Sequence, residues 1–357
     1  MTQPSDGGGE TPRVAVVGTG AWGTTLAVVV ARTEPVLLLA RSEESADPIA
    51  RERRSPHLAG IDLGPAIRVI ADPLLLAAAE LVIVAVPSAH VRETMARIGP
   101  RIARGAAVLS VVKGLEAETL LRMTEVIASV GDIDPDRIAA LSGPNLSMEI
   151  ARGLPASAVV ASTSTELAER VVARLARREF RLYTNSDVLG VELCGALKNI
   201  VAIAAGAADG LGFGDNGKAG LITRGLAEMT RLGIAVGANP LTFAGLAGIG
   251  DVVATCGSVL SRNHRLGDYL AQGRTWKDVE PHLGGVAEGA HTVNAALALA
   301  ARHGVEMPIA QEVHNALFEG KSVQRCLIDL LARESKDELA DFQRWIDRLG
   351  TEGRPAS

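Results

Sequence analysis

Lysine is scarce in this chain. Of the 36 basic residues in its 357 positions, six are lysine (Lys113, Lys198, Lys218, Lys277, Lys321, Lys336) and the rest are arginine. Codon preference accounts for most of that ratio. The two side chains are nevertheless not equivalent, so each remaining lysine invites inspection. Cysteine is scarce too. Cys194, Cys256 and Cys326 lie far apart with no CxxC pair, which argues against a disulfide framework or zinc site and fits reduced thiols in the cytoplasm. Basic charge is not in excess. A net charge of −5 lacks the basic face of a nucleic-acid binder, so no nucleic-acid partner is expected. The one uncharged run near membrane length, Leu232–Gly250, holds five glycines, Asn239 and Pro240, so it reads as a loop-rich core segment rather than a bilayer span. The first thirteen residues lack the apolar stretch of a signal peptide. These absences predict a soluble protein that does not insert into membranes.

What is present is a chain 47% hydrophobic, long enough for two domains. Short β-branched runs at Val14–Val17, Val36–Ala40, Leu81–Val86, Ala107–Val112, Ile138–Leu141, Ser157–Ala161 and Phe180–Tyr183 read as strands. Thr24–Arg32, Pro73–Glu80, Ala89–Ile102, Leu120–Val130 and Glu166–Arg178 read as helices between them. Near-continuous apolar strands alternating with helices predict a parallel, doubly wound α/β sheet covered on both faces. After Asn185 the strand signal ends, and Ala- and Leu-rich helical segments run to about Leu349. The expected architecture is a Rossmann-like dinucleotide-binding domain over 13–187 and an all-α substrate and catalytic domain over 188–349. Residues 1–12 and 350–357 are expected to be flexible tails.

The first strand runs into Gly18-Thr19-Gly20-Ala21-Trp22-Gly23 and then a helix. In that context G-x-G-x-x-G supplies a tight turn, close backbone approach and a helix N-terminus facing a pyrophosphate. Arg41 stands at the end of the second strand, where an acidic residue would hold the ribose 2′-OH of NAD. An arginine there accommodates a 2′-phosphate, which predicts NADP(H) use with NAD(H) also accepted. On the competing reading Arg41 is a surface charge and Glu43 or Glu44 takes the ribose.

Lys113 follows a strand, as does Ser142-Gly143-Pro144-Asn145, and both fall on the carboxyl edge where open α/β folds bind ligands. Lys198 lies on a helical face with Cys194, Val201, Ala202 and Ala205, and Glu192 is out of i,i+4 reach. Such a lysine either snorkels to solvent or sits in a site with a depressed pKa. Asp251 is the only charge in Leu232–Ser261. Buried, it needs a partner, and Lys198 is a natural one; a helix N-cap is the plainer role. Ser261 is placed to cap a helix whose first amides, with Arg262, would hold a phosphate. Lys113, Lys198 and Arg262 then describe a cationic pocket for a small phosphorylated anion.

Taken together these motifs resemble the bacterial-type NAD(P)-dependent glycerol-3-phosphate dehydrogenase family. They are Gly18–Gly23, V-K-G-L-E at 112–116, S-G-P-N at 142–145, A-L-K-N at 196–199, and G-D-N-G-K at 214–218 with I-T-R-G at 222–225. G-I-G-D at 248–251, S-R-N at 261–263 and V-A-E-G at 286–289 complete the set. The likeness spans about residues 13–345. It implies reversible hydride transfer between sn-glycerol 3-phosphate and dihydroxyacetone phosphate, mainly for phospholipid synthesis, without a metal. It also implies Lys198 as proton donor or acceptor, with Lys113 and Asp251 beside it. Lys113, Gly143, Asn145, Asp251, Ser261, Arg262 and Asn263 would surround substrate. Gly18, Gly20, Ala21, Trp22, Gly23, Arg41, Lys113, Ser147, Arg262, Val286 and Glu288 would contact the dinucleotide. Asn145-Leu146-Ser147 stands where the family often has Ser-Phe-Ala, and Gly217 replaces a common alanine in the expected loop carrying Lys218. By fold analogy a homodimer is expected. A 6-phosphogluconate- or 3-hydroxyacid-type dehydrogenase is the rival enzyme, and a non-catalytic NADP(H)-sensing module the rival outside catalysis.

Overall fold

Eight short apolar strands build the sheet: β1 (Val14–Val17), β2 (Val36–Leu39), β3 (Ile67–Ile70), β4 (Leu81–Val84), β5 (Ala107–Ser110), β6 (Ile138–Ser142), β7 (Ala156–Ala161) and β8 (Phe180–Asn185). The computed structural model describes residues 12–334. The remainder of the expected tails, the helical continuation to Leu349 and Lys336 lie outside them. The strand order is β3-β2-β1-β4-β5-β6-β7-β8. It reverses beside β1, which opens a crevice at the carboxyl ends of β1 and β4.

The sheet is not wholly parallel, as β6 and β7 run antiparallel. The helix between them spans only five residues, Ser147–Ala151, too short to carry the chain back across the sheet as a parallel crossover requires. The chain therefore re-enters from the carboxyl edge. β3 was not expected; it pairs parallel to β2 and carries Arg68 exposed between its apolar ends.

The helices in chain order are α1 (Ala21–Ala31), α2 (Glu43–Glu52), α3 (Val91–Ile98), α4 (Met123–Gly131), α5 (Ser147–Ala151), α6 (Thr165–Leu175), α7 (Val188–Gly210) and α8 (Gly214–Ala235). They continue as α9 (Pro240–Phe243), α10 (Asp251–Gly257), α11 (Arg262–Ala271), α12 (Trp276–Val279), α13 (Glu288–Arg302), α14 (Pro308–Phe318) and α15 (Val323–Leu331). The expected helix at Pro73–Glu80 is a 3-10 turn, Pro73–Ala78, started by Pro73 after the Asp72 cap. Two apolar cores cover the opposite faces of the sheet, and a third surrounds α7. A helix apolar on every side belongs in a core. α7 is long and apolar enough to cross a membrane, as is the 240–257 stretch, but α7 is the buried axis of the helical half.

Candidate active site

The glycine loop begins where β1 ends. Gly18 has φ +112°, and a Cβ there would meet the Ala85 carbonyl oxygen at 2.8 Å. A Cβ on Gly23 would lie 2.1 Å from the Gly18 carbonyl oxygen. These two glycines are needed by the fold itself. Gly20 is different, since nothing lies within 4 Å of its added Cβ, so the loop's open side is the side a ligand would approach. α1 starts at Ala21, three residues before the expected start, so its first amides point out of the motif. That arrangement fits a dinucleotide pyrophosphate.

Of the other expected cofactor residues, Arg41 is exposed at the end of β2, and its carbonyl accepts from Arg97 Nη1 at 2.8 Å. Glu43 and Glu44 are also exposed, on the first turn of α2. The Trp22 ring packs edge-on to Phe180 with centroids 6.4 Å apart, and its buried Nε1 has no partner among the described residues. The Ser147 carbonyl is held by Thr25 Oγ1 at 3.1 Å. Val286 is half-buried ahead of α13. The Glu288 side chain is committed within the protein. Its Oε1 accepts from the Ser88 amide at 3.1 Å and its Oε2 from Ser88 Oγ at 2.5 Å. Burial raises the Glu288 pKa, and the two Ser88 hydrogen bonds oppose that rise.

At the carboxyl edge, β5 delivers Lys113 and β6 delivers Gly143. Lys113 Nζ donates to the Gly143 carbonyl at 2.9 Å and to Asp251 Oδ2 at 2.5 Å. Asp251 Oδ1 lies 3.1 Å from Lys198 Nζ. One carboxylate, 1% exposed, thus joins two ammonium groups from two halves of the chain. Burial drives the Lys113 pKa down to about 8 against the attraction of Asp251. Burial also opposes ionisation of Asp251, but the two lysines outweigh it and hold its carboxyl below the ordinary range.

The glycine-rich segment before Asp251, expected as a loop, is a π-helical turn, Leu246–Gly250. It runs straight into α10, so Asp251 does not act as a helix cap. Thr255 was missed from the sequence. Its Oγ1 accepts from Lys198 Nζ at 2.7 Å and donates to Asp251 Oδ1 at 3.0 Å. The signal was there: Thr255 is four residues past Asp251, one helical turn on.

Ser261 caps α11 as expected, its Oγ accepting from the His264 amide at 3.2 Å. The first amides of that helix, on Arg262 and Asn263, precede its intrahelical bonds. The Arg262 guanidinium has no hydrogen-bond partner among the described residues, and burial lowers its pKa against the attraction of Glu288. The Asn263 side chain is committed: Nδ2 donates to Asn199 Oδ1 at 2.9 Å, and Oδ1 accepts from the Gly289 amide at 3.0 Å. One Nδ2 hydrogen and the backbone amide remain for a ligand. Asn145 is the reverse case, with both buried side-chain amide atoms unpartnered among the described residues, as is the buried Ser142 Oγ. Lys218, expected in a loop, lies in the first turns of α8 and pairs with Asp209 at 2.5 Å. Lys321 pairs with Glu312 and Asp329.

Two ammonium groups around one carboxylate leave the cluster with one net positive charge. It sits at the edge of a dinucleotide-type sheet, near the capped end of α11 with its Arg262 guanidinium. Fold and site together define a two-part dehydrogenase of the kind that pairs a nicotinamide-binding sheet with a helical lysine-bearing unit.

Comparison with known proteins narrows the class. The models of the NAD-dependent glycerol-3-phosphate dehydrogenase N-terminus and C-terminus match residues 13–168 and 187–328. Relatives named glycerol-3-phosphate dehydrogenase (NAD(P)+) from Streptomyces avermitilis and Frankia casuarinae are 45% and 47% identical over 329 residues. In each case the match covers 91% of this chain and 98% of the relative. The crystal structure of glycerol-3-phosphate dehydrogenase from Coxiella burnetii superposes with a TM-score of 0.86 at 36% identity, covering 91% of this chain and 100% of that one. The chain belongs to the NAD-dependent glycerol-3-phosphate dehydrogenase family.

Proposed function

We propose that this chain interconverts dihydroxyacetone phosphate and sn-glycerol 3-phosphate with NAD(P)(H), supplying the phosphorylated glycerol for phospholipid synthesis. The observation that carries the reading is the single buried carboxylate of Asp251 shared by Lys113 and Lys198 beside the capped end of α11. Gly18, Gly20, Ala21, Trp22 and Gly23 would hold the dinucleotide, with Ser147, Val286 and Glu288 alongside. When bound, the nicotinamide supplies or accepts the hydride.

In the reductive direction the ketone oxygen gains negative charge as its carbon is reduced. Lys198 Nζ stabilises that oxygen and gives it a proton, so that ketone, hydride and proton together become the alcohol; oxidation reverses each transfer. Asp251 and Thr255 hold the Lys198 ammonium by two of its donors and leave the third for substrate. Lys113 adds the second cation. Arg262 and the first amides of α11 anchor the phosphate, which orients the carbonyl toward Lys198. Gly143 sits beside Lys113, and the Asn145 amide, unpartnered among the described residues, serves a polar group of the substrate.

On this reading 13–187 is the dinucleotide-binding domain and 188–349 the substrate domain. Arg41 favours the 2′-phosphate of NADP(H). The protein works in the cytoplasm as a homodimer. Loss of NADPH absorbance on adding dihydroxyacetone phosphate tests the activity directly. Lys198→Ala is expected to abolish turnover while leaving NADPH binding nearly intact; near-normal turnover in that variant rejects the assignment.

A further inference from the structure

Three titratable side chains meet where the end of α7 packs against α11, apart from the groups around Lys198. His264 Nε2 lies 2.7 Å from Asp209 Oδ2, and Lys218 Nζ lies 2.5 Å from the same oxygen. They come from the ends of three helices: Asp209 from the last turn of α7, Lys218 from the start of α8, and His264 from the first turn of α11. Asp209 stands eleven residues beyond Lys198 on α7, about 16 Å along the axis. It is therefore too distant to touch the groups around Lys198.

We propose that Asp209, His264 and Lys218 form a positioning device that fixes the phosphate-binding end of α11 relative to Lys198. The proposal rests on the reading of that helix end as the phosphate anchor.

The contact between α7 and α11 explains why such a device is needed. A Cβ on Gly206 would lie 1.9 Å from the His264 carbonyl oxygen, and one on Gly267 would lie 1.9 Å from that of Ile203. The two backbones touch at glycines, where no ridge of side chains sets the register. Polar contacts from consecutive residues set it instead. Asn263 fastens the first turn of α11 to Asn199 and to the Gly289 amide. His264, 7% exposed, fastens it to Asp209 near the end of α7. The His264 amide also holds the Ser261 cap, so the residue that closes the anion-binding turn is the residue tied to Asp209. Lys218 supplies the counter-charge that keeps the carboxylate ionised: burial opposes ionisation of Asp209, but Lys218 and His264 outweigh it. Lys198 and the anchor ride on two different helices, and a small error in their spacing is amplified in the rate.

The test compares dihydroxyacetone phosphate with unphosphorylated dihydroxyacetone at saturating NADPH, in the full chain. His264→Ala is expected to lower the ratio of their kcat/KM values about tenfold, through KM for the phosphorylated substrate, with KM for NADPH unmoved. His264→Gln, which returns an N–H donor, should restore most of that ratio. Lys218→Met, at a partly exposed position, should lower it in the same sense by roughly threefold and guards against misfolding of the alanine variant. A lowered Tm with the substrate ratio unchanged in both His264→Ala and Lys218→Met overturns the proposal and leaves the cluster merely structural. Arg262→Leu separates the two ideas. If it too leaves the ratio unchanged, the anchor reading fails; if it collapses the ratio while the cluster variants do not, only the positioning device fails.

Discussion

Asp251→Asn removes one negative charge from between two ammonium groups and changes almost no volume. Lys113 and Lys198 lie 2.5 and 3.1 Å from the carboxylate. At an effective dielectric of about 20 these attractions are worth roughly 5–7 kcal/mol each. The lysine side chains keep 14% and 8% of their exposure, which reduces the cost to the roughly 3–5 kcal/mol expected when a buried charge loses its partner. The burden falls on the more readily neutralised group. Burial already holds Lys113 at about 8, with Asp251 as its chief support. Even about 3 kcal/mol is two pH units, enough to bring Lys113 to about 6 and leave it neutral at pH 7.

Two measurements follow from that shift. In the native protein the KM for dihydroxyacetone phosphate should rise above about pH 8, as Lys113 loses its proton; in the variant that break should move to about pH 6. Turnover should fall by roughly a hundredfold or more, because Lys198 loses an oxygen that orients it. For stability, a lysine whose folded pKa is depressed weakens the fold progressively as pH falls from the unfolded value of about 10 down to the depressed one, so a deeper depression extends the loss to lower pH. The Tm deficit of the variant should therefore grow on acidification toward pH 6. A pH profile whose break stays near 8, with a Tm equal to that of the native protein, would refute the assignment of Asp251 as the shared counter-ion.

Arg41→Ala should raise KM for NADPH on the order of tenfold, the loss expected for one charged hydrogen bond, and leave KM for NADH within a factor of two; equal effects on both cofactors sink the 2′-phosphate role. Glu228 offers a separate pH test in the helical half. Its buried carboxylate caps α14 by accepting from the Ile309 and Ala310 amides at 2.8 and 3.3 Å. Burial raises its pKa from 4.5 to about 7 against those two bonds. A raised carboxyl pKa stabilises the fold below the unfolded value and loses that contribution as pH rises through the folded one. The span corresponds to roughly 3 kcal/mol lost between about pH 4.5 and 7. Glu228→Gln should flatten this part of the Tm profile, and an unchanged slope in that variant would place the ionisation elsewhere.

The sheet and its glycine loop were largely legible because their signals are local: β1, the loop and α1 are contiguous, and the strand runs are apolar throughout. An apolar strand reads the same in either direction, however, so nothing in Ala156–Ala161 announces that β7 runs against β6. β3 escaped because four residues with an exposed Arg68 are too few to show a period. The Lys198–Asp251 pair could be inferred from the isolation of each charge. The shorter contact, Lys113 to Asp251, joins residues 138 positions apart and depends on how the helical half seats on the sheet. Glu288 is a second such case. The family likeness places it near the dinucleotide, and nothing in the sequence tells that its carboxylate also holds Ser88, 200 positions away. Polar side chains are easy to notice in a sequence, but their partners are chosen by topology.

α7 shows why those partners matter beyond catalysis. Most of its surface is Ala, Gly, Val, Leu and Ile, buried on every side, and small apolar residues alone permit several rotations and slides at similar cost. Its polar residues do not. Glu192 is held by Arg122 and by Thr124 at 2.6–2.9 Å. Lys198 is held by Asp251 and Thr255, Asn199 by Asn263, and Asp209 by His264 and Lys218. These partners come from the start of α4, from α8, from α10 and from α11, and a shift of α7 by one residue would break them all at once. A buried polar group left unpaired costs about 1–3 kcal/mol, and a charged one more. The apolar packing drives α7 into the core, while these paired groups select one register for it. The lysine assigned to proton transfer is among them, so the contacts that orient it for chemistry also help to specify where its helix sits.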